Sequence, residues 1–240
     1  MLQWEREQQI LQYLEQKQTS SVKELAKYLY VSEASVRRDL EKMEKAGIVE
    51  RVYGGVLLSK YRNGIKPAQM RDKDYTDRKE LIAEKASKKV SDGDTILMDA
   101  STTVFRMCRY LKKKKNLKVI TNSPRICTEL ADCAEITVFC TGGTYTAKNH
   151  CFLGSYAEQF LEKVNADAVF FSAQGIDPYG RISDVSEEEI SMDQAMMYHA
   201  RKKYFLCDSS KFGVVRPFTL CTKEDVDEIL CDIELEFLPL

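Results

Sequence analysis

The sequence predicts an α/β protein of two unlike parts: a small module of three helices and a hairpin, and a larger domain built on a mostly parallel sheet. Three observations carry this. Residues 1–58 show helical periodicity interrupted by capping residues and closed by a Gly-Gly turn. Residues 59–75 lose the periodicity and mix charge with Gly64 and Pro67, as a linker does. Across residues 76–240 short apolar runs alternate with helical segments, the pattern of parallel strands covered on both faces.

In the module, Ile10, Leu11 and Leu14 share one face of a helix over Arg6–Gln16. Ser21-Val22-Lys23-Glu24 is a capping-box pattern, and Val22, Leu25, Ala26 and Leu29 follow at helical spacing. Ser32 caps a third helix that buries Val36, Leu40 and Met43, and Gly47 ends it. Ile48–Val52 and Val56–Leu58 flank Tyr53-Gly54-Gly55 as a hairpin. In the larger domain a helix near Thr76–Val90 precedes six apolar runs read as strands. These are Thr95–Met98, Leu117–Thr121, Ile136–Cys140, Ala168–Phe171, Tyr204–Cys207 and Ile229–Cys231.

Composition narrows the function. Of 240 residues, 44% are hydrophobic, enough for a real core, and 36 Lys+Arg against 37 Asp+Glu leave a net charge of −1. That total hides a division: residues 1–66 hold 12 Lys+Arg and 9 Asp+Glu, a balance of +3, and the remainder stands at −4. The charged start disfavours a signal peptide, and no apolar run approaches a membrane span. The eight cysteines form no Cys-x-x-Cys pair and only His150 and His199 could join them. A zinc site or redox dithiol is therefore not expected. The expectation is a cytoplasmic protein with buried, reduced thiols, no metal and no cofactor.

Helix, helix, turn, helix and hairpin describe a winged helix-turn-helix. At 100° per residue, Val36, Leu40 and Met43 of the third helix face inward, whereas Ala34, Ser35, Arg38 and Lys42 point away with Arg37 at the flank. Small residues and arginines near a helix N-terminus suit the major groove, where Arg bonds guanine edges or phosphate and Ser donates to phosphate. Asp39, at the apolar border, reads as a structural partner for a neighbouring base or amide. Arg51 and Tyr53 stand where a wing would reach phosphate or the minor groove.

Arg6-x3-Ile10-x3-Leu14, then SEASVRRDL (Ser32–Leu40), then RVYGGV (Arg51–Val56), resemble across the whole module the DeoR family of bacterial regulators, with Ser35 where the family usually has Thr. The resemblance implies binding to a double-stranded DNA operator, with Ser32–Leu40 as recognition helix.

In the larger domain, loops after the apolar runs collect small and hydroxyl residues: Asp99-Ala100-Ser101-Thr102-Thr103, Thr121-Asn122-Ser123, Thr141-Gly142-Gly143 and Asp208-Ser209-Ser210-Lys211. In a parallel sheet such loops share one edge, where ligands bind. The amides, hydroxyls and helix start at 101–103 suit a phosphate, and Lys211 could supply positive charge. Asp99, Asn122 and Asp177 could bond sugar hydroxyls.

This part also resembles the DeoR-family sensor domain, through DGDTILMDASTT (Asp92–Thr103), VITNS (Val119–Ser123), Gly142–Gly143, QGID (Gln174–Asp177), SEEE (Ser186–Glu189) and DSSKFG (Asp208–Gly213). The resemblance implies the sugar-phosphate isomerase and CoA-transferase fold, used to sense a phosphorylated sugar. By position, Ser101, Thr102, Thr103 and Lys211 would hold the phosphate; Asp99, Asn122, Gly142, Gly143 and Asp177 would contact the sugar. Ser101 departs from the family's usual Gly, and Asp193 from its usual Lys or Arg. The expected function is a transcriptional regulator rather than an enzyme: a repressor of sugar-metabolism genes, relieved by its effector and working as a homodimer or homotetramer. Two alternatives stand beside it. One is a sugar-phosphate isomerase using Glu187, Glu188, Glu189 or His150; the other is a DNA-binding protein whose sensor no longer takes a ligand.

Overall fold

Side-chain caps set the helix boundaries of the first unit. In the computed structural model, which describes residues 3–17, 19–52, 55–58, 71–72 and 74–234, this unit comprises Met1–Arg71 and a second comprises Asp72–Leu240. The first holds α1 (Gln3–Lys17), β1 (Thr19–Ser20), α2 (Val22–Leu29), α3 (Glu33–Lys45), β2 (Val49–Val52) and β3 (Gly55–Leu58). Ser21 Oγ accepts from Glu24 N at 3.1 Å while the Glu24 carboxylate accepts from Ser21 N at 2.8 Å, a complete capping box. Tyr30 ends α2 in the left-handed region at φ 55°, and Ser32 Oγ accepts from Ser35 N to start α3. Gly47, at φ 68°, turns the chain from α3 toward β2. Ile10, Leu14, Leu25, Leu29, Val36, Leu40, Met43, Val49 and Val56 form the core.

The hairpin is wider than its sequence pattern indicates. β1, too short to show periodicity, pairs antiparallel with β3 in a sheet of order β1-β3-β2. A Cβ at Gly55 would come within 2.8 Å of Ser20 O, so only glycine lets the two strands meet there. Tyr53 and most of the linker lie outside the described residues.

The second unit contains α4 (Thr76–Ser87), β4 (Thr95–Met98), α5 (Thr102–Phe105), α6 (Cys108–Leu111), β5 (Leu117–Thr121), α7 (Pro124–Leu130), β6 (Ile136–Cys140), β7 (Thr144–Thr146) and β8 (Cys151–Leu153). It continues with α8 (Ser155–Leu161), β9 (Ala166–Phe171), β10 (Gly175–Ile176), β11 (Arg181–Asp184), α9 (Glu187–Tyr198), β12 (Ala200–Leu206), β13 (Phe218–Thr222) and β14 (Glu228–Leu230). Six strands form one wholly parallel sheet in the order β14-β12-β9-β4-β5-β6. Its two faces bury separate clusters. Met98, Val119 and Phe170 pack on one side against Ile82, Val104 and Ile126; Leu97, Val169 and Phe171 pack on the other against Leu161 and Met196. Strands covered on both faces read as unbroken apolar runs.

Three expectations change. β12 begins at Ala200 rather than Tyr204, because its polar first half pairs with β9 near the sheet rim and only its second half is buried. The thiols are not all interior: Cys140 is exposed, since β6 is an edge strand. The sheet is also not the only one. β7 and β8 form a hairpin, and β10-β11-β13 a small antiparallel sheet. Among the described residues no helix is long and apolar enough to cross a membrane.

Candidate nucleic-acid interface and effector site

On α3 the inward residues Val36, Leu40 and Met43 are buried, and Ala34, Arg37, Arg38 and Lys42 are exposed with Ser32 beside them. Ser35 is half-buried, its hydroxyl 3.0 Å from that of Ser32 at the cap. Arg37 is tethered to Glu33 at 3.2 Å, one turn back. Among the described residues Arg38 makes only a 3.4 Å bond from Nε to Ala34 O, and Lys42 Nζ donates to Gln3 Oε1 at 2.9 Å. Arg51 is exposed on β2 opposite Val56. What fixes this face is a pair 33 residues apart. Arg6 Nε donates to Asp39 Oδ2 at 2.8 Å and its Nη2 to Oδ1 at 3.2 Å, with Asp39 buried. This fork ties α1 to α3 and holds Arg6 above its ordinary pKa through the hydrogen bond to Asp39. A buried aspartate on a helix is its one signal in the sequence; the partner was not legible.

The second site lies where the sheet order reverses. β4 leads outward to β5 and β6, and the chain returns to lay β9 on the other side of β4. Such a switch point opens a crevice at the C-terminal strand ends. Asp99 spans it: one carboxylate oxygen accepts from Ser101 N at 2.9 Å, the other from Ser172 N, just past β9, at 2.8 Å. Lys211 Nζ donates to Ser172 Oγ at 2.8 Å, bringing the loop after β12 to the same place. Thr103 and Asn122 are buried beside these loops, and neither Thr103 Oγ1 nor Asn122 Oδ1 has a hydrogen-bond partner among the described residues. Asn122 is held by Phe152 of β8, through Nδ2 to the carbonyl at 3.2 Å and through its own carbonyl from Phe152 N at 2.8 Å.

Not every residue singled out from the sequence meets there in the same way. Ser101 caps α5, its hydroxyl accepting from Val104 N at 3.2 Å, and its φ of −66° needs no glycine. Gly143 serves packing, since a Cβ on it would lie 2.6 Å from Leu153 O. Gly142, at φ 70°, has open space around its Cα, and Thr102 is buried next to Thr103. Asp177 sits in the turn between β10 and β11. Its oxygens accept from Tyr179 N and Arg181 N, both at 2.9 Å, and from Arg181 Nε at 2.7 Å. Ser172 escaped sequence reasoning, although it follows its strand as Ser101 and Ser123 nearly follow theirs.

A model described as the DeoR-like helix-turn-helix domain matches residues 6–62, and one described as the DeoR C terminal sensor domain matches residues 74–233. The chain belongs to the DeoR family of transcriptional regulators. This DeoR-family chain is 32% identical to the helix-turn-helix regulator YulB of Bacillus subtilis, over 98% of the chain and 91% of that protein. It is 31% identical to the L-fucose operon activator of Haemophilus influenzae, over 96% and 92%. Its fold is shared with the tetrameric eIF2B-beta2-delta2 complex of C. thermophilum at 18% identity and TM-score 0.50, covering 65% of this chain and 56% of that one. A D-ribose-5-phosphate isomerase in complex with phospho-erythronic acid follows at 16% and 0.42, covering 56% and 52%. The chain thus spans little more than half of each solved chain.

Charge in this DeoR-family sensor is unevenly placed. Burial lifts Asp99 from 3.8 to about 6, against the bonds from Ser101 and Ser172 and the nearby Lys211. Asp193 on α9 is pushed well above the ordinary range by burial and by the charges of Asp99, Glu189 and Asp184. A carboxyl whose folded pKa exceeds its unfolded one favours the folded state most below the unfolded value, and this contribution is lost as pH rises through the folded value. For Asp99 that window runs from 3.8 to about 6. Urea resistance of the wild type should therefore fall more between pH 4 and pH 7 than that of Asp99→Asn. Parallel profiles would remove Asp99 from this role.

Proposed function

We propose that this regulator represses genes of sugar metabolism and releases its operator when a phosphorylated sugar occupies the switch-point crevice of the sensor. The observation that supports this reading is the pair of buried polar atoms without partners among the described residues, Thr103 Oγ1 in the first turn of α5 and Asn122 Oδ1 just past β5, at the C-terminal ends of the adjacent strands β4 and β5. Buried polar groups are satisfied in nearly all folded proteins, and a ligand bearing hydroxyls and an anion would satisfy these. The name of the L-fucose operon activator supports a sugar-linked role. Operator release requires the effector to prefer the state that fits DNA poorly. Two or four copies would present paired reading helices to a palindromic operator.

An isomerase would need a base poised at the substrate, and the acid–base candidates do not offer one. Glu187 and Glu188 are exposed in the first turn of α9, Glu189 bonds the Asn149 amide, and His150 Nδ1 lies 2.8 Å from Tyr145 Oη. A thermal-shift screen against phosphorylated sugars tests the sensor reading. A ligand at ~100 times its Kd should stabilise the folded chain by ~2.7 kcal/mol. A flat response across a broad panel would refute the sensor, and turnover of a sugar phosphate by the purified protein would refute the assignment as a regulator without catalysis.

A further inference from the structure

Two of the loops at the switch point run straight into arginines that share one acceptor. Asp72 opens the second unit, directly after Arg71, which closes the first. Its carboxylate is held from both sides. Arg106 Nη2 donates to Asp72 Oδ1 at 3.0 Å and to its backbone carbonyl at 2.9 Å, and Arg125 Nη2 donates to Oδ2 at 2.8 Å. Each arginine has a second support. Arg106 Nη1 donates to Glu80 Oε1 of α4 at 3.2 Å, and Tyr110 Oη donates to the other oxygen of that carboxylate at 3.2 Å. The Arg125 guanidinium lies over the Phe105 ring, 4.2 Å from its centroid.

A second, independent observation joins this clamp to the crevice. Thr103 and Asn122, whose Oγ1 and Oδ1 lack partners among the described residues, each stand three residues before one of the two arginines. Both intervals are short and fixed by hydrogen bonds. Arg106 N donates to Thr103 O at 3.2 Å at the end of α5. Arg125 lies in the first turn of α7, where Ser123 takes Ile126 N on its hydroxyl at 3.4 Å and Cys127 N on its carbonyl at 3.1 Å. The stacking of Arg125 on Phe105 also links the two helices, so a shift of one turn presses on the other.

We propose that Asp72 is the residue through which occupation of the crevice reaches the DNA-reading unit. A ligand that bonds Thr103 and Asn122 shifts the first turns of α5 and α7, and with them the grip of Arg106 and Arg125 on Asp72. This rests on the sensor reading above. Coupling of this kind travels through contiguous bonded groups, and here the whole path from either orphaned atom to Asp72 is four residues long. The clamp can also change state at little cost. Arg106 keeps Glu80 and Arg125 keeps the Phe105 ring when Asp72 moves, so neither charge is left bare. The Arg125 and Asp72 side chains are 33% and 24% exposed, within reach of water that can replace their bond. Asp72 is one peptide bond from the first unit, so a change in its hold is a change in how the chain from that unit is anchored.

The full chain tests this with inorganic phosphate, glucose 6-phosphate, fructose 6-phosphate and ribose 5-phosphate. Calorimetry reads the affinity for each, and fluorescence anisotropy reads operator binding with and without the compound at saturation. In the wild type a compound that binds should weaken operator binding about 5- to 150-fold, the usual range of coupling between two sites. Asp72→Asn and Arg125→Gln should each keep both separate affinities within about threefold, while the weakening shrinks to less than about threefold. Both side chains are partly exposed, so both variants should fold, and each alone decides the question. Lys112→Gln, which breaks the exposed Lys112–Glu129 pair between α6 and α7, should respond as the wild type does. Undiminished weakening in Asp72→Asn or Arg125→Gln overturns the inference while the sensor reading stands. So does loss of compound binding in them, which would make the clamp a support of the crevice, or an equal loss of coupling in Lys112→Gln. Silence from all four compounds in the wild type, or binding without release of the operator, overturns the sensor reading and the inference with it.

Discussion

Replacing Arg38 by alanine should weaken operator binding by roughly 5- to 150-fold per module, the range for one specific arginine contact to a base. The loss should compound where two modules share one operator. Arg38 is exposed on the outer face of α3, and its bond to Ala34 O, at 3.4 Å, is weak enough to surrender to DNA. The core residues Val36, Leu40 and Met43 lie on the opposite side, so the variant should fold normally. Arg37, spent on Glu33 at the surface, should matter less when changed to alanine. Fluorescence anisotropy with labelled operator across a salt series measures both. An unchanged affinity for Arg38→Ala would remove Arg38 from the reading face.

Lys211→Met should leave operator affinity intact and weaken the effector by roughly 10- to 150-fold, the magnitude of hydrogen bonds to a charged group. Lys211 is the cation beside Asp99 at the switch point, positioned by its 2.8 Å bond to Ser172 Oγ. Its removal also withdraws the charge that restrains the pKa of Asp99, which should climb further. The regulator would then stay on DNA at effector concentrations that release the wild type. A release assay comparing the two decides the matter: retained sensitivity in Lys211→Met would mean that the phosphate is held elsewhere.

What the sequence makes legible divides along physical lines. Local signals with a direct mechanism are plain: the Ser21–Glu24 box and the Ser32 cap start their helices where the residues indicate. Thr95–Met98 matches its strand because burial on both faces writes an apolar run, and Leu117–Thr121 matches although Lys118 is exposed. Ile136–Cys140, an edge strand with only Ile136 buried, is legible from its β-branched and aromatic residues instead. Strands of two to four residues with mixed exposure, such as Thr144–Thr146 and Arg181–Asp184, carry no comparable pattern. Long-range polar pairing is less visible still. Nothing local couples Arg6 to Asp39, or Asp99 to Ser172, since each pair meets only after the chain has folded back. The hydroxyl of Ser101 shows the converse: a residue type that suits a ligand is also the type that caps a helix.

The strand order carries a consequence in time. Among the described residues, the buried core cluster of the first unit falls between Ile10 and Val56. The second unit needs β9 and β12 on one flank of β4 before β14 can pair, and Lys85 of α4 bonds Cys231 O at the far end of the chain. During synthesis the DNA-reading module is complete when residue 58 has emerged, whereas the sensor closes only past residue 230. At about 5–20 residues per second that interval lasts roughly 10 to 30 s. On the proposed function, each newborn chain would therefore pass through a period in which its reading helix is folded and its effector crevice is not yet built.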